Sequence, residues 1–161
     1  MSADYSQMEL RIAALLADDH AMLNAFRAGY DIHRVTAAKV FSVQEDKVTK
    51  DMRYRAKTLN FGILYGMGPR RLAKEAGMPF DEAQAFIDSY FAQFPGIARW
   101  ISRTKEEARR NGFVETVFGR KRFLPDLKAQ NERLRVQAER AAVNMPVQGT
   151  GADLVKKAMV Q

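Results

Sequence analysis

At 161 residues the chain is sized for one domain, or for part of a larger one. Its 26 Lys and Arg against 19 Asp and Glu give a net charge of +7 and a pI of about 9.8, a balance that favours a polyanionic partner such as nucleic acid. The absence of cysteine excludes disulfides and thiolate metal sites. No apolar run approaches the roughly 20 residues of a membrane span, and Met1-Ser2-Ala3-Asp4 opens no signal peptide, so a soluble cytoplasmic protein with no membrane partner is expected. Both ends read as cut. The chain starts almost on a charged motif and stops inside an amphipathic stretch, Ala152 to Gln161, so a monomeric part of a longer polypeptide is expected.

Residues 1–5 suit the end of a strand. Gln7 to Leu16 then reads as a helix, with Met8, Ile12, Leu15 and Leu16 apolar at helical spacing, Ser6 as its N-cap and Glu9 as the capping-box partner. Asp4 therefore sits at a strand-to-helix corner. A carboxylate there can hold Mg²⁺, and the same position equally suits an ordinary turn residue. Asp18 or Asp19 is expected to cap a second helix through Met22 and Phe26, ending at Gly29. Asp31 caps a third, with His33 in its first turn, where free N–H groups attract phosphate; a lone His is also an ordinary capping-turn residue.

After a polar run to Lys50, with Thr49 as N-cap, comes the most informative stretch, residues 51–66. Read as a helix, it places Arg53, Lys57, Phe61 and Tyr65 four residues apart, a row of two cations and two rings along roughly 18 Å, drifting by about 40° per step. Met52, Ala56, Leu59 and Ile63 lie opposite and can anchor the helix to a core. Two fixed cations beside two rings match a nucleoside triphosphate, charge for the phosphates and flat apolar surface for the base. The same row also fits a solvated basic face above buried aromatics. Gly66 stands where the helix would stop, and Gly62, Gly66 and Gly68 are candidate hinges, or merely end the helix.

Pro69 suits the first position of a helix running to Ala76 and closed by Gly77. Asp81 is expected to cap a helix ended by Pro95-Gly96, and Ile97 to Arg110 to form the next, with Arg109 and Arg110 complementing its dipole before Gly112. Phe113 to Phe118 alternates and is rich in β formers. Gly119 to Arg122 reads as a basic turn and Phe123-Leu124 as a return strand. The tip is a solvated turn or a phosphate contact. Asn131 to Val143 is a charged helix that Pro146 is expected to interrupt, leaving Gln148 to Gly151 as a loop before a last helix.

Three pieces, in this order, closely resemble family A DNA polymerases of the bacterial DNA polymerase I type: Asp4-Tyr5-Ser6-Gln7-Met8-Glu9-Leu10-Arg11; the Arg53, Lys57, Phe61, Tyr65-Gly66 row; and Asn144 with Gln148-Gly149-Thr150. The first two match that family's motifs A and B. Asp31-Ile32-His33 and Phe118 to Pro125 extend the similarity along the chain. The resemblance implies a mainly α fold, α+β overall: the fingers subdomain of a right-hand polymerase with a small β-hairpin. Residues 1–10 would be a palm strand fragment with motif A, 11–147 the fingers with the motif B helix at about 50–66, and 148–161 a helix returning to the palm.

It also implies roles. Asp4, with the backbone carbonyl of Tyr5, would hold catalytic Mg²⁺, one of two metals about 4 Å apart that stabilise an in-line displacement. Glu9 would be the steric gate against a ribose 2′-hydroxyl. Arg53, Lys57 and His33, with Gln7 beside them, would grip the triphosphate of a dNTP, with Lys57 also a general acid. Phe61 would stack on the incoming base, Tyr65 with Gly66 at the template base, and Arg140, Asn144 and Gln148 would line the nascent duplex of primer-template DNA. Met8 departs from the usual Ile, a conservative swap. The motif C strand with the second catalytic aspartate would follow Gln161, so the isolated chain is expected to be inactive. Three rivals stand: a single-subunit phage-type RNA polymerase, against which Glu9 and Phe61 speak; a non-catalytic basic helical module that binds DNA through phosphates; and a degenerate structural copy of the fold, against which motifs A and B, intact together, speak.

Overall fold

Eight α-helices and one two-stranded hairpin make up the regular structure of the described residues, 7–160 of the computed structural model, with two short 3-10 turns at Glu45–Lys47 and Pro125–Lys128. The expected strand at 1–5, which includes Asp4 and Tyr5, and the Ser6 cap lie outside the described residues. The helices are α1 (Met8–Ala17), α2 (His20–Arg27), α3 (Ile32–Val40), α4 (Lys50–Leu64), α5 (Pro69–Ala76), α6 (Phe80–Gln93), α7 (Pro95–Asn111) and α8 (Glu132–Val160). The strands β1 (Phe113–Glu115) and β2 (Lys121–Phe123) pair antiparallel, Phe113 opposite Phe123 and Glu115 opposite Lys121. The mainly α architecture with its small hairpin stands as expected. The chain divides into two compact units: one takes the chain up to Asp19 and again from Gly96, and the other is His20–Pro95.

In the first unit, α1 buries Leu10, Ile12, Ala13 and Ala14. A cluster of Ala108, Val114, Leu124, Leu127, Ala138 and Ala142 joins α7, the hairpin region and α8. In the second, α3 and α4 pack through Ala37 and Ala56, with Val48, Phe41 and Met52 around them. Small alanines at the crossing let the two helices approach closely.

Four boundaries differ from expectation. The N-cap of α1 is Gln7, left-handed at φ 54° and with no side-chain cap bond, a conformation that costs a non-glycine residue of order 1 kcal/mol. Asp18 closes α1 in the left-handed region and Asp19 directly precedes α2, in the position expected of a cap; the Oδ2 of its buried carboxylate accepts the Ile97 N–H of α7 at 3.1 Å. Asp81 lies in the first turn of α6, whose N-cap position is Pro79, and α7 begins on Pro95, whose missing N–H is no loss at a helix start.

The fourth difference is larger. Pro146 does not interrupt: α8 runs for 29 residues through it and through Gly149 and Gly151. Tertiary packing outweighs propensity here, because Ala142, Val143, Pro146, Val147, Gly149 and Thr150 are all buried. A Cβ on Gly149 would lie 2.6 Å from Thr116 Cγ2, so the residue that weakens the helix also lets the hairpin turn press against it. Arg120 at that turn reaches α8, donating from Nη2 to the Gly149 carbonyl at 2.9 Å and from Nε to Asp153 Oδ1 at 3.0 Å. The basic tip is thus tied to α8 through Arg120.

Gly96 is under a similar constraint. A Cβ there would lie 2.8 Å from Asp19 Cα and Oδ2, and backbone cannot swing aside as a side-chain tip can. Gly96→Ala is expected to lower stability by about 1–3 kcal/mol, read as a fall in Tm. An unchanged Tm would show that Asp19 does not seat against this helix start.

Candidate functional site

The row lies on α4, in the second unit. Thr49 caps the helix, its Oγ1 accepting the Met52 N–H at 3.2 Å. Ala56, Leu59 and Ile63 are buried, which turns Arg53, Lys57, Phe61 and Tyr65 to the other side. Lys57 is exposed and the other three are half-buried. Lys57 Nζ lies 5.9 Å from the centroid of the Phe61 ring. The Phe61 and Tyr65 rings are within 9° of parallel, centroids 6.4 Å apart, an offset stack. The spacing therefore becomes one continuous surface of cation, ring and ring.

The helix ends in a Schellman motif. Tyr65 is the C-cap, Gly66 takes φ 87°, its N–H donates to the Ile63 carbonyl at 3.1 Å, and the Met67 N–H donates to the Gly62 carbonyl. Met67 folds its side chain onto Gly62, in the space a Cβ would need. Gly62 and Gly66 thus have defined local roles at this end of α4.

Asp31 does more than cap α3. Its Oδ1 accepts the N–H groups of His33 at 3.0 Å and Arg34 at 3.3 Å, and its Oδ2 takes Arg53 Nε at 2.6 Å. Burial raises the Asp31 carboxyl, but the Arg53 guanidinium and the Arg34 N–H outweigh it, and the net pKa falls below the usual 3.8. The ion pair was not legible from sequence. Its only trace was a charged residue at the start of each of two neighbouring helices.

His33 is buried, 1% exposed, with its ring tilted against Phe61 at 5.5 Å between centroids. Its Nδ1 is 3.0 Å from Asn60 Nδ2, and its Nε2 has no hydrogen-bond partner among the described residues. Burial pushes its pKa down to about 4; Asp31 pulls it up, while Arg53 and Lys57 push it further down. At neutral pH it is an uncharged imidazole, not a third cation beside Arg53 and Lys57. Asn60, also fully buried, accepts from Thr36 Oγ1 on Oδ1 at 3.0 Å. Sequence reasoning passed over Asn60 and Thr36. The available signal was a polar residue within the apolar face Ala56, Leu59, Ile63.

The remaining candidates lie in the first unit or outside the described residues. Gln7 and Glu9 are half-buried at the start of α1. Arg140, Asn144 and Gln148 follow one another at four-residue steps along α8. Arg140 and Gln148 are exposed, and Asn144 is half-buried, its Oδ1 buried and without a partner among the described residues. Among the described residues no three His, Cys, Asp or Glu side chains are grouped to hold a metal.

A helical body of this kind occurs in nucleic-acid polymerases. The solved POL domain of Pol1 from M. smegmatis, in complex with DNA primer-template and dNTP, is 40% identical and aligns with a TM-score of 0.88, covering 98% of this chain and 28% of that one. The family model described as DNA polymerase family A matches residues 1–161, and the chain belongs to that family. It is 52% identical over 161 residues to the thermostable DNA polymerase I of Thermus aquaticus, covering all of this chain and 19% of that protein. To DNA polymerase I of Pseudomonas aeruginosa it is 51% identical over 160 residues, covering 99% of this chain and 18% of that protein. The chain therefore spans about a fifth of the length of these curated relatives.

Two outcomes follow for stability. Asn caps a helix as well as Asp, so Asp31→Asn removes only the half-exposed ion pair and is expected to cost under about 1 kcal/mol, whereas Asp31→Ala removes cap and pair and is expected to cost about 1–2 kcal/mol. Equal losses in denaturant titrations would mean that only the ion pair matters. His33 is harder to protonate folded than unfolded, so its contribution is complete above about pH 6.5 and is lost as pH falls toward about 4. His33→Gln should flatten the Tm–pH profile in that window, and an unaltered slope would contradict a neutral buried His33.

Proposed function

We propose that this chain is the nucleotide-gripping portion of a DNA polymerase that transfers nucleotidyl groups from dNTP to a primer 3′-hydroxyl. The observation that carries it is the α4 surface, where Arg53 and Lys57 lead into stacked Phe61 and Tyr65, in a chain of DNA polymerase family A. In this reading residues 11–147 are the fingers, 1–10 a palm strand fragment and 148–161 a helix returning to the palm. The primer-template DNA and dNTP held by the similar POL domain are the partners expected here.

Phosphoryl and nucleotidyl transfer depend mainly on positioning and on charge placed where charge develops. Arg53 gives its Nε to Asp31, which leaves both Nη groups to fork phosphate oxygens. Lys57, exposed on the next turn, supplies a compact point charge and a proton for the leaving pyrophosphate. Phe61 offers a flat face to the incoming base, and Tyr65 with Gly66 meets the template base until α4 swings closed on a correct pair. Gln7 and Glu9 would face the sugar and phosphates, with Glu9 excluding a 2′-hydroxyl. Arg140, Asn144 and Gln148 would contact the duplex. Asp4 and the Tyr5 carbonyl are oxygen donors of the kind Mg²⁺ takes; when bound, the ion would stabilise charge on the reacting phosphate oxygens.

In the complete polymerase, Arg53→Ala and Lys57→Ala are each expected to reduce dNTP incorporation by about 10²-fold or more at subsaturating nucleotide, the scale of losing one preorganised charge contact. Glu9→Ala should raise ribonucleotide incorporation relative to deoxynucleotide. If each variant instead weakened DNA binding equally, with no dependence on triphosphate and only a change in salt slope, the chain would be a non-catalytic DNA-binding module. The 161-residue chain alone is expected to give no primer extension, and robust extension would contradict the division of labour proposed.

A further inference from the structure

A buried polar bridge joins α3 and α4 beside the row. Thr36 Oγ1 donates to Asn60 Oδ1 at 3.0 Å, and with the Asn60 amide in this orientation its Nδ2 lies toward His33 Nδ1, also at 3.0 Å. An amide N–H can only donate, so Nδ1 must accept. A neutral imidazole that accepts on Nδ1 carries its proton on Nε2. That Nε2 is buried and has no partner among the described residues. Leaving such a donor unmatched costs about 1–3 kcal/mol, a reason to look for an acceptor that arrives from outside.

We propose that Asn60 and Thr36 are positioning residues that hold His33 in its Nε2–H form, so that it offers a neutral hydrogen-bond donor to an oxygen anion rather than a positive charge. This rests on the polymerase reading for the identity of that anion, a nucleoside triphosphate. The groups that bear on the ring are Asp31 at the start of α3 and Arg53 and Lys57 on α4. The two cations already supply positive charge, and a protonated ring beside them would be opposed by both. The same bridge also excludes the other tautomer. With its proton on Nδ1 the ring would point N–H against N–H at Asn60, and Nε2 would present a lone pair to the phosphates. Asn60 thus decides the sign of the interaction that His33 makes.

Histidine-labelled protein tests this by long-range ¹H–¹⁵N spectra, with the His33 signals identified by their loss in His33→Gln. The chain has two histidines, which keeps the assignment simple. The expected result is an Nε2–H ring at pH 7. Asn60→Leu and Thr36→Val should both shift the ring toward a tautomer mixture, while Thr36→Ser, which keeps the hydroxyl, should restore the wild-type pattern. Thr36→Val changes little volume, so it decides the matter if Asn60→Leu does not fold. Asn60→Asp should let the ring take up a proton near neutral pH. In the complete polymerase that variant should show a KM for dNTP that varies with pH between about 5 and 7, where the parent is flat. An Nδ1–H ring in the parent, or a tautomer unmoved by both Asn60→Leu and Thr36→Val, overturns the assignment. If the tautomer behaves as expected but His33→Gln leaves KM for dNTP unchanged, it is the triphosphate contact of His33 that falls.

Discussion

One carboxylate sets the geometry of the side of the second unit that carries the α4 row. Asp31 divides its two oxygens between the first turn of α3 and the Arg53 side chain of α4. The two helices cross on alanines, so their separation is set by backbone and Cβ contact and has little slack. With Asp31 on both, the start of α3 is in register with the first turn of α4. Arg53, 36% exposed at its side chain, is held at its Nε yet open at its tip. An unrestrained arginine would lose about 2 kcal/mol of rotamer freedom on meeting a ligand. Part of that loss has already been taken when the protein folds.

The parts of the fold that were legible in the sequence are those whose signals are local. Thr49, Asp31, Pro69, Gly66 and Gly77 each act within one turn of their own position, and each ends or starts a helix where the local chemistry says it should. The row on α4 was legible for the same reason, since four-residue spacing converts directly into a helical stripe. The features that were not legible share the opposite property. Asp19 stands directly before α2, where a cap was expected, but the contact of its Oδ2 with the Ile97 N–H spans 78 positions. Pro146, Gly149 and Gly151 all argue locally for a break. The helix continues because small residues are what the hairpin turn and α1 need at that surface: a Cβ on Gly149 would crowd Thr116, and one on Gly151 would lie 3.1 Å from Met8 Cε.

For the candidate site, the shared helix face was legible and the electrostatic state was not. Arg53, Lys57, Phe61 and Tyr65 share a surface as their spacing indicates. The charge of His33 depends on burial and on partners from another helix, neither of which is carried by the residues around position 33. Asp31 and Asn60 were visible as letters, one a cap and one a polar interruption. Their second contacts, to Arg53 and His33, exist only once α3 lies on α4.

A neutral donor in this place makes physical sense beside the two cations. A buried imidazolium would bear the desolvation cost of a third charge and would be repelled by Arg53 and Lys57, with Asp31 alone to offset it. A neutral Nε2–H avoids both penalties and still forms a hydrogen bond that strengthens as negative charge accumulates on its acceptor. Charge attracts a polyanion from a distance, but a directional N–H discriminates where each oxygen sits. Arg53 and Lys57 can do the first because they reach solvent. His33 can do the second only because Asn60 and Thr36, both buried, hold its ring in one protonation pattern and one orientation.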